Sequence, residues 1–310
     1  MTIGKSLAYQ KFGKTIEAEI RNFYHISTSL IYATRWWNSI AKTNQPNRIT
    51  GYPGDNVQPF NSIDIPPKEY LDNVPAVLEM NRENSIVGFI TTFEVYLNDI
   101  TRRMIYLDSS MISGSEMPFE AKQIAEAMDK GDFKDWFADK IADKYLRNKT
   151  HLKMILKIQN LIKHDLKTTK SDLIEEWNKW TYVRNAVVHN GRTVSEDLHR
   201  EWPEKFPRVK DSLKITNSDF NRVHHLAVEI AKFIDPIIIK KIIKDSDAIL
   251  LVRELFIKDG IDESKVLRQK TINILNHRLT NAVVEKALSF QRKTNSDTHG
   301  WSFSAYNFKE

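Results

Sequence analysis

The chain has 310 residues, enough for one large or two modest domains, and 41% of them are hydrophobic, enough to bury a core. Its 46 basic residues against 40 acidic ones give a net charge of +6, a slight lean towards polyanionic partners such as nucleic acid. Cysteine is absent, which excludes thiol catalysis, disulfides and cysteine-ligated zinc.

In chain order, the opening MTIGKSLAYQKFGKT lacks the apolar core of a signal peptide. The segment TIEAEIRNFYHISTSLIYATRWWNSIAK follows and reads as one long aromatic-rich helix or two shorter ones. Gly and Pro cluster in GYPGDNVQPFNSIDIPPKEY, residues 51–70, the clearest loop. Beyond it, Ile86, Ile90, Phe93, Leu97, Ile100, Met104 and Leu107 recur at spacings of three and four, one face of a helix. Phe133, Trp136, Phe137, Ile141 and Tyr145 repeat the pattern, and HLKMILKIQNLIKHD continues it. SDFNRVHHLAVEIAKFIDPIIIKKIIKD reads as a long helix broken near Pro236. Its apolar stretch is too short and too interrupted by lysine to span a bilayer, so a cytoplasmic protein with no membrane partner is expected. Residues 246–292 predict two or three more helices, and the tail from Thr294 is irregular. No alternating strands or internal repeats are apparent. The expected fold class is all-α.

One segment departs from simple patterning. SDLIEEWNKWTYVRNAVVHNG opens on Asp172 with Glu175 three positions on, a helix start, and closes on Asn190-Gly191, a helix stop. At about 100° per residue, Leu173, Trp177, Trp180, Val183, Val187 and Val188 share one face. Arg184 falls near the middle of that apolar face, while Asn178, Asn185 and His189 form a neighbouring polar strip. A sealed guanidinium is expensive unless paired. Either a carboxylate meets it, or the face opens there onto a cleft or a partner chain. In the second case a fixed cation stands beside a titratable imidazole. Such a pair suits attack of an RNA 2′-hydroxyl on the adjacent phosphate, with histidine handling the proton and arginine stabilising the phosphorane. The nucleophile belongs to the substrate, so no metal or other cofactor is required. The plainer alternative is a structural ion pair with a helix-capping histidine.

The run RNAVVHN, Arg184 and then His189 after four intervening residues, resembles the R-X4-6-H motif of HEPN ribonucleases. Arg192 with His199 and Arg292 with His299 also match the loose spacing, but outside an apolar helical frame. The resemblance implies a HEPN-like helical bundle over residues 76–245, with helical extensions at 1–75 and 246–310. It implies metal-independent RNA cleavage leaving a 2′,3′-cyclic phosphate, by a toxin or phage-defence effector. It further implies a homodimer with a composite active site, and an antitoxin or defence-system partner. Arg184 and His189 would be catalytic, with Asn185 in support. Glu94, on the rim of an earlier helix's apolar face, is the candidate acidic support for the arginine. Asn190 and Arg192 are candidate RNA contacts. A rival expectation is a catalytically silent helical module binding RNA or protein. A third is an adaptor whose Arg184 is sealed against a carboxylate.

Overall fold

Apolar residues at spacings of three and four dominate the chain, and helices follow from them. The computed structural model describes residues 4–40, 47–49, 65–112, 119–129 and 133–294. Among these, eleven α-helices occur and no strand, so the fold is all-α. They are α1 (Leu7–Ser39), α2 (Pro67–Leu107), α3 (Ala121–Asp129), α4 (Phe133–Leu146), α5 (His151–Ile162), α6 (Ser171–His189), α7 (Glu196–Glu201), α8 (Asn217–Ile238), α9 (Ser246–Asp259), α10 (Ser264–Leu275) and α11 (Asn281–Thr294). No described helix is long and apolar enough to cross a membrane.

The aromatic N-terminal segment is one long helix, the first of the two forms expected, and it starts earlier, at Leu7. Other expectations need correction. The proposed loop at 51–70 lies outside the described residues up to 64, but Pro67–Tyr70 is already the first turn of α2. Pro67 sits where its missing N–H is no loss, and Pro75 lies on the exposed side. Prolines that read as loop are thus tolerated inside a helix of 41 residues. In α4 the buried stripe is Asp135, Ala138, Ile141, Ala142 and Leu146, whereas Phe133 is 42% exposed. Arg102 of α2 pairs with Asp135, which draws the carboxylate inward and turns the aromatic side to the margin. The break near Pro236 takes the form of a π-helical turn, Ile239–Ile243, directly after α8. The segment 246–292 makes three helices, and the tail 295–310 lies outside the described residues.

The chain divides into two compact units that cut across the segments 1–75, 76–245 and 246–310. One unit comprises residues 1–15, 91–181 and 225–310; the other comprises residues 16–90 and 182–224. In the first, α9, α10 and α11 bury Leu251, Val252, Leu267, Leu275, Val284 and Leu288 together with Leu7. The start of α1 is tied down by two buried carboxylates. Asp235 accepts hydrogen bonds from the backbone N–H of Ser6 at 3.0 Å and from its hydroxyl. Asp247 accepts from the Leu7 N–H at 2.8 Å and from Arg103 Nε at 2.6 Å. In the second unit, Phe220 stacks on Phe23 at 4.0 Å and tilts against Phe89 at 5.1 Å. Arg82 donates to the Ile215 carbonyl at 2.7 Å and to Asn217 Oδ1 at 2.9 Å. These contacts fasten the chain between α6 and α8 to α2. Within that connection Ser195 caps the short α7, and Thr193 bridges Ser212 in antiparallel fashion.

Candidate functional site

Helix α6 begins one residue earlier than its sequence suggests, at Ser171, whose hydroxyl donates to Glu175 Oε1 at 2.9 Å. Its buried stripe is Ile174, Trp177, Trp180, Thr181, Val183, Ala186 and Val187. Leu173 is half-buried and Val188 is 46% exposed, so the two belong less to the core than the pattern implied. Trp177, Thr181, Arg184 and Val188 lie at spacings of four, three and four, in one angular sector of the helix. Exposure rises along that sector from 0% at Trp177 and 8% at Thr181, through a half-buried Arg184, to 46% at Val188. The apolar face therefore opens at the arginine.

The partners of Arg184 lie on its own helix. Its Nη1 donates to Asn185 Oδ1 at 3.2 Å and lies 3.4 Å from His189 Nε2. Among the described residues no carboxylate pairs with it. A guanidinium nitrogen can only donate, so in this arrangement Nε2 of His189 is the acceptor and the ring proton sits on Nδ1. Asn185 and His189 are both exposed. Fixed cation, amide oxygen and imidazole lone pair thus share one open end of α6.

The helix stops just beyond. The Asn190 N–H donates to the Ala186 carbonyl at 3.2 Å, as does the Arg192 N–H. The left-handed residues are Gly191 (φ +59°) and Arg192 (φ +65°), one step later than the expected Asn190-Gly191 pair. This turn carries Arg192 back to α2, where it pairs with Glu83 and donates to Asn84 Oδ1 at 3.1 Å. Burial raises the Glu83 carboxyl above its ordinary value, and the hydrogen bond and charge of Arg192 oppose that. Arg192, an expected RNA contact, is therefore committed to a carboxylate, while Asn190 stays exposed.

Glu94, the expected acidic support, is on α2 with its side chain 51% exposed, and its Oε2 lies 3.6 Å from Nε2 of the buried His151. His151 Nδ1 accepts from the Trp177 indole N–H at 3.0 Å, so the ring proton must be on Nε2, facing Glu94. Glu83 and His151 were both missed in the sequence. Glu83 carried a usable signal: it precedes Ile86 by three and Ile90 by seven, a charge on an apolar stripe, as Arg184 is. Of the other motif-like pairs, His299 lies outside the described residues, and the remaining members have partners elsewhere. His199 donates from Nδ1 to the Phe206 carbonyl at 2.8 Å, and Arg292 pairs with Asp262.

A cavity of about 230 Å³ lies between the first turns of α1 and the Thr91–Asp99 part of α2, with the Lys11–Asp99 ion pair at 2.7 Å in its wall. None of the motif residues lines it. Among the described residues no group of three or more His, Asp or Glu is arranged to hold a metal ion. No protein-family profile matches the chain, and neither a curated protein nor a solved structure shows significant similarity to it.

Proposed function

We propose that the chain is a metal-independent endoribonuclease of the HEPN type, with Arg184 and His189 as its catalytic residues. The observation that supports this is the exposed Arg184–His189 pair at 3.4 Å, with no carboxylate neutralising the guanidinium among the described residues. His189 Nε2 takes the proton of an RNA 2′-hydroxyl. The freed oxygen attacks the adjacent phosphorus and the bond to the 5′-oxygen breaks. Arg184 exchanges its contact with the imidazole for the non-bridging phosphate oxygens and holds the charge that builds there. The departing 5′-oxygen takes a proton from water or from a second histidine, and the products are a 2′,3′-cyclic phosphate and a 5′-hydroxyl. Asn185 holds the guanidinium from one side. A HEPN-like bundle, a toxin or defence role and an antitoxin partner follow from the motif's resemblance alone.

The test is incubation with total RNA in EDTA, comparing the native chain with His189→Ala. Cleavage that survives EDTA, spares DNA and 2′-O-methyl RNA, and vanishes in the variant is the expected result. A requirement for Mg²⁺, or equal cutting of DNA, would overturn the mechanism. One feature favours a second reading: the guanidinium occupies the His189 lone pair in the free chain. A silent module that binds RNA or a protein would show no cleavage under any of these conditions.

A further inference from the structure

The net charge of +6 is not spread over the chain. Between Lys144 and Lys170 the sequence holds eight basic residues and one acidic residue, Asp165. This one stretch therefore carries more net charge than the whole chain, and the remainder is close to neutral. The stretch covers the end of α4, all of α5 and the connection to α6. A second basic group is brought to it by the fold. Lys241, in the π-helical turn after α8, donates from Nζ to the Ile162 and Lys163 carbonyls, both at 2.9 Å. Lys240 lies in the same turn and Lys244 caps it, and both are exposed.

Helix capping explains part of this arrangement only. Cations at the C-terminal end of α5 complement its dipole, which accounts for Lys163 and Lys241. Lys149 and Lys153 lie at the opposite end, where positive charge opposes the dipole, and both are exposed. Lys153 and Lys157 are one turn apart on α5, about 6 Å along the axis. Lys157 is held below the ordinary lysine value, first by burial and then by the charge of Lys149, so like charges crowd each other here. Among the described residues Lys149, Lys153, Lys163, Lys167, Lys240 and Lys244 form no ion pair with a carboxylate. Some basic side chains of the same unit are paired, as Arg102 is with Asp135 and Arg103 with Asp247.

We infer that the surface formed by α5 and the turn after α8 binds the phosphate backbone of a nucleic acid. A membrane surface fits less well. None of the exposed large hydrophobic residues falls within 144–170 or 236–244, and interfacial binding needs an apolar face to insert. Lysines act as point charges, and Lys157 covers the Tyr145 ring at 3.8 Å, leaving that ring no open face on this side for a base. The contact is accordingly to backbone and independent of sequence. It is also independent of the cleavage chemistry proposed above.

The probe is a fluorescent 2′-O-methyl oligoribonucleotide, which the proposed chemistry cannot cut. It is titrated with the full chain by anisotropy across a series of salt concentrations. The variant is Lys149→Gln, Lys153→Gln, Lys240→Gln, whose side chains are exposed, with far-UV circular dichroism as the check on folding. Each phosphate contact to a single strand contributes about 0.7 to the slope of log K against log salt, so the triple variant loses about 2 in slope. Its affinity falls at least about tenfold at low salt. A charge-matched control, Lys265→Gln, Lys286→Gln, Lys293→Gln on α10 and α11, keeps the native slope. The inference is overturned if the native chain does not bind, or if the first variant matches it in affinity and slope. Equal loss in the control also overturns it, as does binding to phosphatidylserine vesicles as tight as to the oligonucleotide.

Discussion

An arginine on an apolar stripe has two physical fates, and they predict opposite mutational behaviour. A sealed guanidinium paired with a carboxylate leaves an unpaired buried charge when it is cut away, a loss of about 3–5 kcal/mol. Arg184 is half-buried and its partners are Asn185 and His189, one polar and one titratable. Arg184→Ala and His189→Ala are therefore expected to shift stability by no more than about 0.5 kcal/mol while abolishing RNA cleavage. Arg184→Lys should stay inactive, since a point charge cannot replace the two-pronged hold on phosphate. Denaturation curves and a cleavage assay on the same preparations decide this. An Arg184→Ala chain that unfolds would make the residue structural.

At the scale of the element, the turn that ends α6 depends on an interaction that no local pattern reveals. Gly191 and Arg192 both take left-handed conformations, and at the non-glycine Arg192 the turn has support from elsewhere. Glu83 supplies it, buried on α2 at 3% exposure. Arg192→Ala strands that carboxylate and is expected to destabilise the chain by about 1–3 kcal/mol. Adding Glu83→Gln should recover part of the loss, and a double-mutant cycle from urea melts measures the coupling. Absence of coupling would show that the backbone alone holds the turn. The contrast between the two arginines explains what was legible in the sequence. Arg184 declared itself through its position on a stripe, which is local. Arg192 looked like a free cation because its partner is 109 residues away. The same division holds for the helices. Ile86, Ile90, Phe93, Leu97, Ile100 and Met104 are all buried as their spacing foretold. The α4 stripe was misread because the Arg102–Asp135 pair outweighs the aromatic pattern. Helix α7 was missed because six residues hold too few turns for a period; its local signs are the Ser195 cap, Glu196 and Asp197 in the first turn and His199 and Arg200 in the last.

At the scale of the whole chain, long-range carboxylate contacts add a pH dependence. Asp235 holds Ser6 across 229 positions of sequence, and its carboxyl is pushed up to about 7, first by burial, against the hydrogen bonds from Ser6. Asp247 raises it further, while Lys5 opposes the shift. Between about pH 4 and 7 the folded chain keeps a proton that the unfolded chain releases, so stability falls as pH rises through that window. Asp235→Asn removes the titration and can still accept from the Ser6 N–H. It should flatten the decline in melting temperature between about pH 4 and 7, and an unchanged decline would assign the effect to other groups.

The proposed cleavage carries an expectation about assembly at this scale. One Arg184–His189 pair supplies one cation and one proton carrier, whereas cyclising cleavage also needs the leaving 5′-oxygen protonated. Val188 is 46% exposed on the sector of α6 that buries Trp177 three turns earlier, so an apolar side chain stands open beside the motif. A second copy related by a twofold axis would cover Val188 and bring a second His189 to the same phosphate. Light scattering should then give a dimer at micromolar concentration. Val188→Glu should weaken the dimer and cleavage together, because it puts like charges face to face across the axis. Mixing Arg184→Ala with His189→Ala chains should restore partial cleavage if each composite site draws on both copies. A chain that stays monomeric at micromolar concentration and still cuts RNA would show that one motif suffices.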